Sequence, residues 1–101
     1  MKIRKKPWRK KYISPEEKAR MNGIDTAQYI ARDTMVEDME ENRHYMMNQY
    51  NNILEEYANL KKRGETTHHD NYREFNLQEI YLKAQAEEYL RLAKYFEEHI
   101  A

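Results

Sequence analysis

The chain has 101 residues, which leaves room for a single small domain with a modest core. Charged residues make up 36% and hydrophobic residues 40% of it, the mean hydropathy is −1.22, and no apolar run approaches the roughly 18 residues of a membrane span. The absence of cysteine excludes disulfide bonds and thiol nucleophiles, and the charged start lacks the apolar segment of a secretory signal. We expect a cytoplasmic protein with thin apolar stripes on long helices, and no membrane attachment.

The formal net charge of +0 conceals two oppositely charged parts. Residues 1–12 contain seven Lys and Arg residues and no acidic residue, a charge of +7, whereas the remainder holds 11 basic and 18 acidic residues, a charge of −7. Residues 1–13 show no helical period and their like charges repel one another, so we predict a flexible basic arm. Residues 14–101 are expected to form one helical domain.

The first helix has clear start and stop signals. Ser14 can cap it, Pro15 suits the first helical position, and Glu17 stands three residues after the cap. Asn22-Gly23 is typical of a helix end, because Gly readily adopts the left-handed conformation. The pattern predicts a short helix over about residues 15–22.

A much longer second helix is predicted to follow. Asp25 can cap it with Gln28 in the capping-box position, and no Gly or Pro interrupts the chain before Gly64. The basic residues 61–63 suit the negative end of a helix dipole. A helix over 26–63 would span roughly 57 Å, a length typical of coiled coils.

The heptad pattern of this helix supports a coiled coil. With Tyr29 at position a, the a and d positions from Val36 to Leu60 are apolar except for Arg43. The apolar positions are Val36, Met39, Met46, Tyr50, Ile53, Tyr57 and Leu60.

The third helix is predicted over about residues 77–100. Asn76 with Glu79 is favoured as its cap over Asn71 with Glu74. A continuous apolar face follows, formed by Leu82, Ala86, Tyr89, Ala93, Phe96 and Ile100. Because two helices joined by a short connection fold back on each other, the predicted fold is all-α: a long antiparallel, coiled-coil-like helical hairpin preceded by a short helix and the basic arm.

The two long helices present more apolar surface than one hairpin can bury, which favours a homodimer or another protein partner. Met and Tyr side chains are adaptable at interfaces, although the same residues are equally suited to an ordinary core. The candidate partner interface consists of Met39, Met46, Tyr50, Ile53, Tyr57, Tyr89 and Phe96.

The basic arm is the candidate nucleic-acid site. Its cations can neutralise phosphates, and its aromatic residues can stack on unpaired bases. The candidate residues are Lys2, Arg4, Lys5, Lys6, Trp8, Arg9, Lys10, Lys11 and Tyr12. A DNA, an RNA, a nucleoprotein surface or an acidic protein would each suit the arm, which could also fold onto its own acidic body or act only as a solvated tail. The leading hypothesis is a non-enzymatic binding module with a helical body and a nucleic-acid-binding arm.

An inhibitor or regulator is the alternative function. Acidic pairs such as Glu37-Asp38, Glu40-Glu41 and Glu87-Glu88 are expected on the outer faces of the helices, where they would imitate a nucleic-acid backbone and block a polymerase or nuclease. Small size, absence of cysteine and abundant Tyr, Met and Asn are also typical of virus-encoded proteins of that kind. An ordinary solvated coiled-coil surface would have the same charges.

Catalytic and metal-binding patterns are weak. No glycine-rich phosphate loop is present, and a two-stranded rod offers no pocket for a small-molecule substrate, so we predict neither enzymatic activity nor a cofactor. Glu41 and His44 have the spacing of di-iron ligands, but the heptad pattern puts them on the outward face. Glu65, His68 and His69 lie in the expected turn, and we predict no metal site.

Overall fold

Three helices make up the described part of the protein. The computed structural model describes residues 13–64 and 72–100, which form α1 (Pro15–Thr34), α2 (Met39–Gly64) and α3 (Tyr72–Glu98). No strand occurs within these ranges, and the predicted all-α fold class is confirmed. The predicted arm, apart from Ile13, lies outside the described residues.

The predicted start of α1 is confirmed. The Ser14 hydroxyl accepts a hydrogen bond of 3.1 Å from the backbone N–H of Glu17, and Pro15 occupies the first helical position. The Ser14 hydroxyl thus satisfies one of the backbone N–H groups of the first turn that have no partner within the helix. Pro15 has no N–H that would need a partner.

The predicted helix end at Asn22-Gly23 is wrong, because α1 continues to Thr34. Gly23 does not adopt a positive φ, nor does any other described residue. Its missing side chain instead makes room for α3. A Cβ atom at position 23 would lie 3.0 Å from the backbone nitrogen of Gln85 and closer still to the backbone oxygen of Tyr81. Glycine is therefore explained here by close helix packing and not by a turn.

The predicted continuous helix over 26–63 is also wrong, because residues 35–38 interrupt it. The Asp38 side chain accepts a hydrogen bond of 3.0 Å from the N–H of Glu40, and the Asp38 carbonyl accepts one of 3.1 Å from the N–H of Asn42. Asp38 thus caps α2, and the competing hydrogen bonds of its short side chain favour a new helix start.

Asn42 holds the connection between α1 and α2 in place. Its side chain is buried, accepts a hydrogen bond of 2.9 Å from the N–H of Val36 and donates one of 2.8 Å to the carbonyl of the same residue. The backbone N–H and carbonyl of Val36, which lie in the interruption between the two helices, are therefore both hydrogen-bonded to one side-chain amide. This clamp fixes the direction in which α2 leaves α1.

The predicted start of α3 at residue 77 lies too late, since α3 begins at Tyr72 and contains Asn76 within it. The alternative cap at Asn71 agrees with this start, although Asn71 is not among the described residues. Asn76 is only half-buried, so the interior of a helix accommodates it. The helix ends at Glu98, two residues before the predicted end.

α3 is the central element of the fold. The predicted hairpin is confirmed, because Lys61 and Tyr57 near the end of α2 contact Glu79 near the start of α3, which makes the two helices antiparallel. α1 runs parallel to α3, because Thr26 is hydrogen-bonded to Tyr81 and Gln28, further along α1, is hydrogen-bonded to Glu88, further along α3. These contacts occupy two different faces of α3.

The buried side chains confirm part of the heptad pattern. Met46, Ile53 and Leu60, the d positions of α2, are buried, as is the predicted face of α3 from Ala86 to Phe96. The pattern fails before α2: Tyr29 is 69% exposed and Val36 43% exposed. It fails there because the interruption at 35–38 rotates α1 out of the heptad register.

Small residues mediate the contact between α1 and α3. They recur at every fourth position of α1 and are Ala19, Gly23, Ala27 and Ala31. The last three are buried, and Ala84 on α3 would lie 3.1 Å from a Cβ atom at position 23. A row of this spacing lies along one ridge of a helix and lets two backbones approach closely.

Candidate binding site at the cationic end

The structure places the predicted partner-interface residues in two different environments. Met46, Ile53, Tyr89 and Phe96 are at most 7% exposed and fill the core of the single chain. Their burial is explained by the packing of α2 against α3, and α1 covers a further part of α3. Only the half-buried members offer surface to a partner; these are Met39, Tyr50 and Tyr57. The predicted nucleic-acid-binding residues 2–12 lie outside the described residues.

The helix directions bring the start of α1 to the same end of the molecule as the basic last turn of α2. α1 is parallel to α3 and α2 is antiparallel to it, so the beginning of α1, the end of α2 and the beginning of α3 lie at one end. Lys61, Lys62 and Arg63 form the last turn of α2, as expected from the helix dipole. In the sequence, the +7 segment 1–12 directly precedes α1.

A cleft opens between α2 and α3 at this end. It has a volume of roughly 720 Å³, and its lining carries the charged groups of Lys62, Arg63 and Glu56. The other lining residues are Asn59, Leu60, Gln78, Tyr81 and Leu82. Hydrogen-bond donors and cations therefore outnumber the single carboxylate, an arrangement suited to an anionic ligand.

Two hydrogen bonds, one of which is also an ion pair, join α2 to α3 beside the cleft. The Glu79 carboxylate accepts hydrogen bonds from the Tyr57 hydroxyl at 3.1 Å and from the Lys61 ammonium at 2.9 Å. The hydrogen bond from Lys61 holds the pKa of Glu79 below its ordinary value. Across α3, the hydroxyls of Tyr81 and Thr26 are 3.0 Å apart, which orients the Tyr81 side chain. Tyr81, which lines the cleft, is thus tied to α1.

The two ends of the molecule carry opposite charge. The described residues that meet at the cationic end, 13–20, 61–64 and 72–74, contain 6 basic and 3 acidic residues, a net charge of +3. The opposite end, residues 32–44 and 91–100, contains 4 basic and 7 acidic residues, a net charge of −3. A polyanion is therefore attracted to one end and repelled by the other.

The acidic pair Glu87-Glu88 does not lie wholly on the outer surface as predicted. Glu87 is exposed, but Glu88 is 7% exposed and its carboxylate accepts hydrogen bonds from Gln28 at 2.9 Å and from Arg91. The hydrogen bond from Arg91 is the main reason that the pKa of Glu88 is lowered. Glu88 therefore joins α1 to α3. The pairs at 37–38 and 40–41 are exposed, as predicted.

The structure brings no metal ligands together in its described part. Glu41 and His44 are exposed on α2, and no group of three or more potential ligands occurs in residues 13–64 and 72–100. Glu65, His68 and His69 lie outside those ranges. None of the helices described combines the length and apolar character needed to cross a bilayer.

Sequence reasoning missed the residues of the cleft. Lys61, Lys62 and Arg63 were visible as a basic cluster, but they were explained by the helix dipole alone. Tyr81 and Gln78 carry no sequence signal that separates them from other helix residues. Their role depends on the direction of α1, which the misplaced helix end at Gly23 concealed.

The fold and the site define an all-α protein with a core centred on α3 and oppositely charged ends. Comparison of the chain with protein-family models, with curated proteins and with solved structures gives no match.

Proposed function

We propose that this protein is a non-enzymatic binding module that takes single-stranded nucleic acid at its cationic end. The observation that carries the proposal is the cationic cluster 61–63 beside an open cleft, at the end of the molecule where α1 begins. In the sequence the +7 segment 1–12 directly precedes α1. Neither segment alone distinguishes a nucleic-acid site from a solvated charge run, and together they supply cations for consecutive phosphates.

The aromatic residues favour unpaired bases as the ligand. Trp8 and Tyr12 stand among the cations of the arm, and Tyr81 lines the cleft. A duplex hides the faces of its bases, whereas a single strand exposes them for stacking on aromatic side chains. The acidic end of the body repels phosphates and confines the ligand to the cationic end.

The proposal is tested by measuring the affinity of the full chain for a labelled single-stranded RNA over a series of salt concentrations. Replacement of Lys5, Lys6, Lys10 and Lys11 by Gln is expected to weaken binding about 100-fold and to reduce the salt slope by about 3. Lys62→Glu is expected to weaken binding several-fold, since it reverses one charge in the cleft. Fluorescence of Trp8, the one tryptophan of the sequence, reports stacking directly.

Lys94→Glu is the matched control, because Lys94 is also an exposed lysine but lies at the end of α3 away from the cleft. It is expected to change the affinity less than about twofold. Equal effects of Lys62→Glu and Lys94→Glu would remove the cleft from the proposal. Unchanged binding after the arm substitutions would refute the proposal as a whole.

A further inference from the structure

An apolar groove lies between α1 and α3 at the acidic end of the molecule. Met35, Leu92, Tyr95 and Phe96 line it together with Ala31, and Gln28 and Arg32 lie at its rim. Its volume is roughly 240 Å³, and Met35 and Tyr95 are 51% and 49% exposed. The groove arises where the small residues of α1 end. Exposed apolar surface of this kind marks a docking site when something covers it.

The surroundings of the groove are strongly acidic. Residues 33–41, which include Met35, contain five acidic residues and no cation. Glu97 and Glu98 follow Phe96 at the end of α3, and both are exposed. A ligand with apolar or aromatic side chains set among several cations fits this surface better than a purely apolar one.

Residues 1–12 of this chain have that composition. They place Trp8, Ile3 and Tyr12 among seven cations, and they balance the −7 charge of the remaining chain. The groove has room for one aromatic side chain. Arg32 at its rim is no obstacle, since a guanidinium stacks favourably on an indole ring.

The lengths of the segments favour a second copy as the donor of this arm. Trp8 precedes Ser14 by six residues, which span roughly 21 Å when fully extended. Met35 lies 21 residues beyond Ser14 along α1 and its end, roughly 31 Å at the helical rise. Gln28, at the near rim of the groove, lies 14 residues beyond Ser14, roughly 21 Å, so a fully extended arm of the same chain brings the Trp8 backbone only to that rim and not to Met35.

We propose that the groove between α1 and α3 binds Trp8 and the adjoining cations of a second copy, in an antiparallel dimer that exchanges both arms. With the two α1 helices antiparallel, the start of each lies beside the end of the other. Both grooves are then filled by one twofold arrangement, which closes the assembly. The +3 and −3 ends of the two copies, counted over the described residues, are aligned in opposite directions, which adds electrostatic attraction.

Measurements on the full chain without nucleic acid test this dimer independently of the proposed function. Molecular mass by light scattering is followed across a concentration series together with the emission maximum of Trp8. We expect dimer formation and a blue shift of Trp8 emission over the same concentrations, because the indole leaves water as the dimer forms.

Met35→Lys and Met21→Lys form a matched pair, since both methionines are exposed: Met35 lies in the groove directly after α1, and Met21 lies on α1 near its opposite end. Met35→Lys is expected to weaken the dimer about tenfold or more, whereas Met21→Lys changes it less than about twofold. Circular dichroism checks that both variants remain helical. A monomer at every concentration, a Trp8 shift that does not depend on concentration, or equal effects of the two substitutions would overturn the proposal.

Discussion

The two helix pairs that meet on α3 are built by different means. α2 packs against α3 through large side chains in a heptad pattern, including Met46 and Ile53, with Tyr89 fully buried in the shared core. α1 packs through small residues that bring backbones together, with Gly23 at the closest approach. Polar contacts at Thr26 and Gln28 supplement this second interface. The α2–α3 pair depends on large side chains that fill the space between the helices. The α1–α3 pair depends on small residues that let the two backbones approach closely.

Removal of side-chain volume from the α2–α3 pair is expected to have the largest effect. Ile53→Ala should lower the free energy of unfolding by about 2 to 4 kcal/mol, because Ile53 is 7% exposed and its loss leaves a cavity. Leu54→Ala, one residue away and 40% exposed, should lower it by less than about 1 kcal/mol. Urea unfolding followed by circular dichroism measures both. Similar losses for the two variants would contradict the heptad packing of α2.

Addition of volume to the α1–α3 pair is expected to have the next largest effect. Gly23→Ala improves helix propensity by about 1 kcal/mol, but its Cβ atom meets backbone atoms of α3 that cannot move independently. We expect a net loss of about 1 to 3 kcal/mol in the free energy of unfolding.

Asn22→Ala is the control for this substitution, because Asn22 is an exposed neighbour in the same helix. It should leave stability unchanged or raise it by about 0.5 kcal/mol, through helix propensity alone. If Gly23→Ala stabilised the protein in the same way, α1 and α3 could not be as closely packed as the structure indicates.

The smallest expected effect concerns the pH dependence of the α1–α3 pair. Hydrogen bonds from Arg91 and Gln28 lower the pKa of Glu88 in the folded protein, relative to an ordinary value of 4.5. The folded state therefore binds this proton less readily than the unfolded chain. The stabilisation is present above the ordinary pKa and is lost as the pH falls through the lower, folded value.

Glu88→Gln should therefore cost about 1 kcal/mol at neutral pH and progressively less below pH 4.5. Glu87→Gln, which changes an exposed neighbour, serves as the control and should have little effect at either pH. Unfolding curves at several pH values separate the two variants. A Glu88→Gln effect of the same size at low and neutral pH would show that the carboxylate charge does not join the helices.

The contrast between the two pairs explains which features could be predicted. A large apolar side chain at every heptad position is a strong signal, so the core positions of α2 and α3 were found from periodicity. The small residues at 19, 23, 27 and 31 form an equally regular row, but alanine and glycine also occur on exposed helix faces. Gly23 was consequently interpreted as a helix end, since local signals favour that role more often than close packing.

The site shows the same division. The charge of residues 1–12 and of 61–63 is plain in the sequence, whereas the direction of α1, which puts its start beside residues 61–63, is a feature of the tertiary structure. That direction depends on the interruption at 35–38, whose signal is a cap at Asp38 within an otherwise helical pattern. Capping residues also occur inside helices. At Asp38 the helix start depends in addition on the two hydrogen bonds between the buried Asn42 side chain and the backbone of Val36.

The sequence by itself determined the helical class, the cap at Ser14, the d-position core of α2 and the apolar face of α3. Each of these depends on local hydrogen bonding or on the period of one helix, and such effects act within a few residues. Only the tertiary structure decided that α1 continues through Gly23 and that α3 has two neighbours. Those features depend on which backbones come close enough to exclude a side chain, a relation between residues about 60 positions apart that no local pattern contains.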